Sequence, residues 1–170
     1  MKLKVGDRLP EAVFLDASSG QPVEMPSAEV FAGRAAVFAM PGAFTKTCDG
    51  VHLPGLVRAA DAFRTEGIDR IVVISVNDPF VMDAWGEGSG AKEAGIMLLA
   101  DADGSFTRAV GMDFDRPAAG FFGRSHRYGM LVEDGVVTWL AAEENPAECS
   151  LTAADAALDA IRGRKASAAT

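Results

Sequence analysis

The 170-residue sequence has little of what several protein classes require. Its two cysteines lie far apart, too few for a disulfide scaffold, and they favour a reducing compartment. No apolar run is long enough to cross a bilayer, and the first residues carry two lysines without the apolar stretch of a signal peptide. We therefore expect a cytoplasmic protein that does not associate with membranes.

Positive charge is also scarce. Sixteen Lys and Arg against 24 Asp and Glu give a net charge of −8, without a basic cluster, so nucleic acid is a poor partner. Two histidines and two scattered cysteines form no zinc pattern. The glycine-rich stretch 86–90 lacks the spacing of a dinucleotide-binding loop, and 101–104 lacks the later acidic ligands of a calcium loop. The sequence predicts no metal and no cofactor.

The order of apolar runs predicts an α/β protein. The length suits one domain over residues 1–162, with 163–170 as a frayed tail. Continuous apolar runs predict buried strands, alternating runs predict hairpins, and helical spacing predicts helices. The predicted strands are 35–40, 71–76 and 96–100, the hairpins 12–25 and 130–137, and the helices 48–67, 79–86 and 151–161. This order favours a thioredoxin-like sandwich with a central mixed β-sheet flanked by helices.

Three finer predictions concern the helices. Gly67 should end the helix that begins near Cys48, and Pro54 should kink or restart it. In the helix at 79–86, Phe80, Met82 and Trp85 are the candidate core residues.

Cys48 stands where the sequence favours a thiolate. The strand at 35–40 should stop at Pro41-Gly42, and Thr45 or Thr47 can then cap a helix with Cys48 in its first turn. The free N–H groups and the dipole at a helix N-terminus favour negative charge. An ordinary cysteine thiol has a pKa of about 8.5 and is only a few per cent thiolate at neutral pH, so stabilising the anion activates it. We interpret Cys48 as a nucleophile rather than a buried structural cysteine.

The same stretch resembles a known signature. Pro41-Gly42-Ala43-Phe44-Thr45-x-Thr47-Cys48, followed by His52-Leu53-Pro54-Gly55, is similar to the active-site signature of peroxiredoxins, and within them of the type II group, also called the peroxiredoxin five subfamily. Further matches, in the family's order, are Lys4 to Asp7, Ser75 to Met82 with Trp85-Gly86, Leu98 to Asp101 with 104–106, Arg124-Ser125-x-Arg127-Tyr128 and Asp134 to Val137.

This resemblance covers residues 4 to about 160 and implies an activity. A type II peroxiredoxin has a thioredoxin-like fold and is a thiol peroxidase. It would reduce hydrogen peroxide and alkyl hydroperoxides through a sulfenic acid on Cys48. Its reductant would be glutaredoxin with glutathione, or thioredoxin. Members of the group commonly form homodimers through the face near the active site, for which residues around Phe44 and Pro79 are the candidates.

The resemblance also implies roles for single residues. Cys48 would be the peroxidatic nucleophile. Thr45 would accept a hydrogen bond from the peroxide, and Arg127 would hold the thiolate and the peroxide together. Pro41 would shield the sulfur from water, and Arg124 would support the pocket through ion pairing.

For the other candidate site residues, the sequence leaves two interpretations open. His52, four residues after Cys48, would either pair with the thiol or be a histidine satisfied by hydrogen bonds beside the pocket. Phe44, Phe121 and Phe122 would form an apolar rim that suits organic hydroperoxides, or belong to the core. Cys149 falls where some type II members carry a resolving cysteine, which forms a disulfide with the oxidised sulfur; otherwise it is a bystander.

Three other functions compete with a peroxidase. A thioredoxin-like disulfide oxidoreductase normally uses C-x-x-C, and here Thr45 holds the first position. A Cys–His hydrolase would need a base and an oxyanion hole around Cys48. A redox-regulated interaction protein would keep its cellular role after Cys48→Ser.

Overall fold

A seven-stranded mixed sheet organises the chain. The computed structural model describes residues 2–169. The strands are β1 (Val13–Asp16), β2 (Val23–Pro26), β3 (Arg34–Met40), β4 (Arg70–Ser75), β5 (Met97–Ala100), β6 (Asp113–Arg116), β7 (Phe121–Ser125), β8 (Tyr128–Glu133) and β9 (Val136–Ala142). The helices are α1 (Ser27–Val30), α2 (Leu53–Thr65), α3 (Pro79–Gly88), α4 (Ser105–Ala109) and α5 (Ala154–Ala168), with a π-turn at Cys48–His52 and a 3-10 turn at Pro117–Ala119.

The strand order explains the apolar runs. In the main sheet it is β2-β1-β5-β4-β3-β8-β9, and β6 and β7 form a separate two-stranded sheet. β3 and β4 pair in parallel, as do β4 and β5, whereas β8 runs antiparallel to β3. The interior strands are covered on both faces, so their sequences are continuously apolar. The predicted strands and both hairpins are confirmed.

The core lies on the two faces of this sheet. On one face α2, α3 and α5 contribute Phe63, Trp85 and Leu158 to a buried cluster. On the other face Phe14 and Phe106 pack edge to face, with ring centroids 5.1 Å apart. A mixed sheet with helices packed against it is the sandwich that the sequence predicts.

Residues close in the sequence determine where the helices α2 and α3 end or begin. Gly67 has φ +85° just beyond α2, a conformation that glycine adopts without strain, so it ends this helix as predicted. Asp78 caps α3 by accepting from the Val81 N–H at 2.9 Å. The prediction for Phe80 is wrong, because Phe80 is 57% exposed while Met82 and Trp85 are buried. Residues 82 and 85 share a face of α3, and residue 80 lies on the opposite one.

The C-terminal helix differs from its prediction at both ends. It begins at Ala154 rather than at Leu151, and it continues through Ala168, so most of the stretch predicted as a frayed tail is helical. Alanine-rich sequence favours this extension. Glu66, just after α2, accepts from Arg162 at 2.9 Å and from Lys165 at 2.8 Å. Within residues 2–169, no helix is long and apolar enough to cross a membrane.

Candidate active site

Cys48 lies at the start of a widened helical turn and is completely buried. The predicted threonine cap is wrong. Both hydroxyls donate to carbonyls instead, Thr45 to Gly42 at 2.7 Å and Thr47 to Ala147 at 3.1 Å. The π-turn gives way to α2 immediately before Pro54, which has no N–H to donate. Pro54 therefore restarts the helix, as predicted, and Cys48 occupies the turn before the restart.

The loop before Cys48 is held in a strained conformation. Phe44 has φ 61°, which is rare for a bulky residue and costs of order 1–3 kcal/mol. Asn77, after β4, stabilises the loop because its Oδ1 accepts from the Ala43 N–H at 3.0 Å and from the Ser75 hydroxyl at 2.6 Å. The Phe44 ring lies 6.3 Å from that of Trp85. This contribution of Asn77 was not predicted, although its position directly after a buried strand is a signal that marks functional loops in α/β proteins.

Arg127 places a buried positive charge beside the sulfur. The residue is 1% exposed, and its Nη2 lies 3.2 Å from Cys48 Sγ and donates to the Pro146 carbonyl at 3.0 Å. Among residues 2–169, no carboxylate forms a salt bridge with Arg127. A buried guanidinium without a carboxylate partner is costly, so it stabilises negative charge on a group in contact with Nη2, and the Cys48 sulfur is in that position.

His52 orients Arg127 and does not act as a base for Cys48. The His52 Nε2 lies 2.9 Å from the Thr152 carbonyl, which requires the proton on Nε2, so Nδ1 accepts from Arg127 Nη1 at 3.0 Å. Burial, and then the Arg127 charge, lower the pKa of His52 to about 3. The ring is therefore neutral at physiological pH and both nitrogens are engaged. These contacts agree with the interpretation of His52 as a histidine satisfied by hydrogen bonds beside the pocket.

The loop between β9 and α5 packs over the site. Its carbonyls at Pro146 and Thr152 accept from Arg127 and His52. The Glu143 carboxylate holds the loop, since its Oε1 accepts from the Ser150 N–H at 2.7 Å and from the Thr152 N–H at 2.9 Å. The groups that surround the sulfur therefore also hold this loop in place.

Cys149 belongs to this loop. Cys48 and Cys149 are both free thiols in this structure. Cys149 is half-buried, and its burial raises the pKa of its thiol above the ordinary value. Of the two cysteines, Cys149 has surface available to solvent and Cys48 has none.

The remaining predicted residues surround the loop that precedes Cys48. Pro41 is buried, and its carbonyl accepts from Arg124 Nη1 at 3.1 Å. The guanidinium of Arg124 lies over the Phe121 ring, 5.4 Å from its centroid. The predicted ion pairing of Arg124 is wrong, because none of the salt bridges within residues 2–169 includes it. Phe44 and Phe122 are 56% and 66% exposed, so neither belongs to the core.

A further tether was not predicted. The Trp85 Nε1–H donates to Asp49 Oδ1 at 2.7 Å and joins α3 to the π-turn beside Cys48. The two residues are 36 positions apart, so no local pattern links them.

Comparison with known proteins identifies the family. A protein-family model described as Redoxin matches residues 4–158. Peroxiredoxin-2E-2, chloroplastic, of Oryza sativa subsp. japonica is 45% identical over 150 residues, which cover 85% of this chain and 67% of that protein. The chain belongs to the peroxiredoxin family. It spans about two thirds of the length of that plant peroxiredoxin.

Solved peroxiredoxins share its architecture. Reduced Prx3 from Vibrio vulnificus, in a complex with hydrogen peroxide, superimposes with a TM-score of 0.87 at 42% identity and covers 96% of this chain and 98% of its own. Peroxiredoxin 5 from Alvinella pompejana superimposes with a TM-score of 0.82 at 33% identity and covers 95% and 99%. This peroxiredoxin therefore has the thioredoxin-like fold, groups with the type II (peroxiredoxin five) members and is a thiol peroxidase.

Proposed function

We propose that Cys48 is the sulfur with which this peroxiredoxin reduces peroxides, and the observation that carries the proposal is its contact with Arg127. The thiolate attacks one oxygen of the peroxide, the O–O bond breaks, and the other oxygen leaves with a proton as water or alcohol. Cys48 becomes a sulfenic acid. Arg127 Nη2, 3.2 Å from Sγ, stabilises the thiolate before the attack and the negative charge that develops on the oxygens during it.

Two further residues shape the reaction. The Thr45 hydroxyl proton is engaged by Gly42, so its oxygen lone pairs are available to accept from a peroxide O–H. Pro41 is buried and has no N–H that could bind water, which supports the shielding role that the family resemblance implies for it. Because Cys48 itself has no exposed surface, peroxide reaches it only after a local movement of the residues around it.

Peroxide consumption by variants tests this assignment. Cys48→Ser should abolish it, because serine cannot be oxidised in place of the thiolate. Cys149→Ser is the matched control and should still consume one equivalent in a single turnover. Activity of Cys48→Ser within about tenfold of the wild type would overturn the assignment of Cys48 as the nucleophile.

We propose that Cys149 resolves the sulfenic acid. Its thiolate attacks Cys48 Sγ, a disulfide forms and water leaves, after which a thiol reductant of the glutathione, glutaredoxin or thioredoxin class restores both thiols. Its place in the loop that packs on Arg127 and His52 supports this role. Both sulfurs are free thiols in this structure, which is the reduced state of this cycle.

Intact-protein mass tests the resolving step. After one equivalent of hydrogen peroxide without reductant, the wild type should lose the mass of two hydrogens. Cys149→Ser should instead gain oxygen on Cys48. Oxygen adducts on Cys48 in both proteins would make Cys149 a bystander, and no oxidation in either would overturn the proposed chemistry.

We also propose a homodimer in a reducing, cytoplasmic compartment. The exposed rings of Phe44 and Phe80, on the loop before Cys48 and on α3, support association through that face. Two cysteines far apart in the sequence, too few for a disulfide scaffold, support a reducing compartment. Sedimentation velocity tests the assembly: Phe80→Glu should halve the mass of the particle, with Phe122→Glu as the exposed control. Equal masses for the wild type and Phe80→Glu would contradict this interface.

A further inference from the structure

A surface pocket of about 470 Å³ opens between the π-turn, α2 and α5. This volume lies in the range that is typical of pockets that bind small molecules. The lining residues are Val51, His52, Gly55, Arg58, Ala59, Ala62, Cys149, Ala153, Ala154, Asp155, Leu158 and Arg162. Cys149 lines this pocket and Cys48 does not, although His52, which orients Arg127, forms part of the wall.

Two arginines line the pocket, and one of them is available to bind an anion. Arg58 on α2 is exposed, and among residues 2–169 it forms no salt bridge. Its Nη2 lies 3.9 Å from the position that a Cβ on Gly55 would occupy, so the guanidinium extends over the start of α2. Arg162 on α5 pairs with Glu66 at 2.9 Å, and Asp155 is the acidic side chain of the lining. Arg58 therefore offers an uncommitted positive charge in a protein of net charge −8.

We propose that this pocket binds a small thiol that carries carboxylates, and that this thiol reduces the oxidised protein by attacking Cys149. The proposal rests on the Cys48–Cys149 disulfide proposed above. A carboxylate of the ligand would pair with the Arg58 guanidinium, which suits bidentate hydrogen bonding. A protein reductant requires a broad contact surface, whereas a concave pocket of this volume encloses a small ligand.

The stability of the leaving thiolate determines which sulfur of the Cys48–Cys149 disulfide is attacked. The ligand thiolate attacks Cys149 Sγ, a new disulfide forms between the ligand and Cys149, and the bond to Cys48 breaks. Cys48 leaves as a thiolate and is stabilised by Arg127, and a better-stabilised thiolate leaves faster. A second ligand thiolate then attacks the ligand sulfur of the mixed disulfide. This step releases the oxidised ligand dimer and the Cys149 thiolate.

Glutathione is the probe, because it carries two carboxylates, and 2-mercaptoethanol is the uncharged comparison thiol. Protein oxidised with one equivalent of peroxide is first shown by mass to hold the disulfide, and is then mixed with each thiol and quenched by alkylation. We expect glutathione on the Cys149 peptide. We also expect the ratio of the glutathione rate to the 2-mercaptoethanol rate to fall about fivefold in Arg58→Ala and with added salt.

The control is Arg8→Ala, which removes the same charge beside Asp134, at the end of β8 far from Arg127. In Arg8→Ala the ratio of the glutathione rate to the 2-mercaptoethanol rate should stay within about twofold of the wild-type ratio. Glutathione on the Cys48 peptide, or an equal fall of the ratio in both variants, would overturn the proposal.

A binding measurement separates failure of this proposal from failure of the proposed disulfide. S-methylglutathione cannot exchange with a disulfide, and calorimetry on the reduced protein reports its binding alone. We expect binding that weakens about fivefold in Arg58→Ala and does not change in Arg8→Ala. If no disulfide forms but S-methylglutathione binds, the proposed resolving role of Cys149 is wrong and the proposed binding pocket is supported. If the disulfide forms and S-methylglutathione does not bind, the pocket proposal fails.

Discussion

His52 should make the folded protein sensitive to acid, and its pKa allows the size of the effect to be calculated. The pKa of this histidine is about 3 in the folded protein against an ordinary value of 6.5. Between these values the unfolded chain binds a proton that the folded chain does not. The stabilising effect of the neutral ring is therefore complete above pH 6.5 and is lost as the pH falls toward 3.

The expected magnitude is large for a single side chain. At pH 4.5 the difference of about two pKa units corresponds to about 2.7 kcal/mol of unfolding free energy. The effect is about 4.4 kcal/mol at pH 3 and approaches about 4.8 kcal/mol below it, out of a total stability of about 5–15 kcal/mol for a typical domain. The physical cause is the cost of a second positive charge in a dry site beside Arg127.

Urea unfolding at a series of pH values, at one protein concentration, measures this dependence. The unfolding free energy of the wild type should fall by about 1.4 kcal/mol per pH unit between pH 6 and 4. His52→Gln keeps one donor and one acceptor but cannot take up the proton, so its unfolding free energy should lack this slope. His126→Gln is the control at the other histidine, which is half-exposed and stacks on Phe114. Equal slopes for the wild type and His52→Gln would refute the conclusion that His52 is buried and neutral.

Two further predictions concern Arg127 and Glu143. Arg127→Lys keeps the charge but loses the fork that contacts His52 through Nη1 and Cys48 through Nη2. Alkylation of Cys48 at neutral pH should slow, and peroxide reduction should slow by about 10- to 100-fold; unchanged rates of both reactions would contradict the assignment. Burial opposes ionisation of Glu143, but hydrogen bonds, foremost from the Thr152 backbone, hold the pKa of its carboxyl below the usual value. Its stabilising effect is therefore present above pH 4.5 and lost as the pH falls through the folded pKa. Glu143→Gln should cost about 1–2 kcal/mol at pH 7 by urea unfolding, less in acid, and an equal cost at both pH values would contradict this account.

The sequence determined the parts of this protein that depend on local chemistry. Short β-branched or apolar runs such as 35–40 and 71–76 predict strands buried on both faces, and Asp134-Gly135 can form the tight turn of a hairpin because both residues adopt positive φ. The turn at Pro41-Gly42, Cys48 after it and the family signature located the candidate nucleophile. These features depend on residues close together in the chain, so sequence alone was enough to predict them.

Tertiary structure alone decided how that cysteine is surrounded. Arg127 reaches Cys48 because β8 pairs with β3, whose end leads into the loop before Cys48. The loop beyond β9 supplies the carbonyls that orient Arg127 and His52, and no spacing in the sequence predicts such contacts. The missed contributions of Asn77 and Glu143 have the same origin, because hydrogen bonds to backbone groups leave no residue pattern at the other end. Sequence indicated the candidate nucleophilic sulfur, and the packing of distant strands and loops decided which charges and hydrogen bonds surround it.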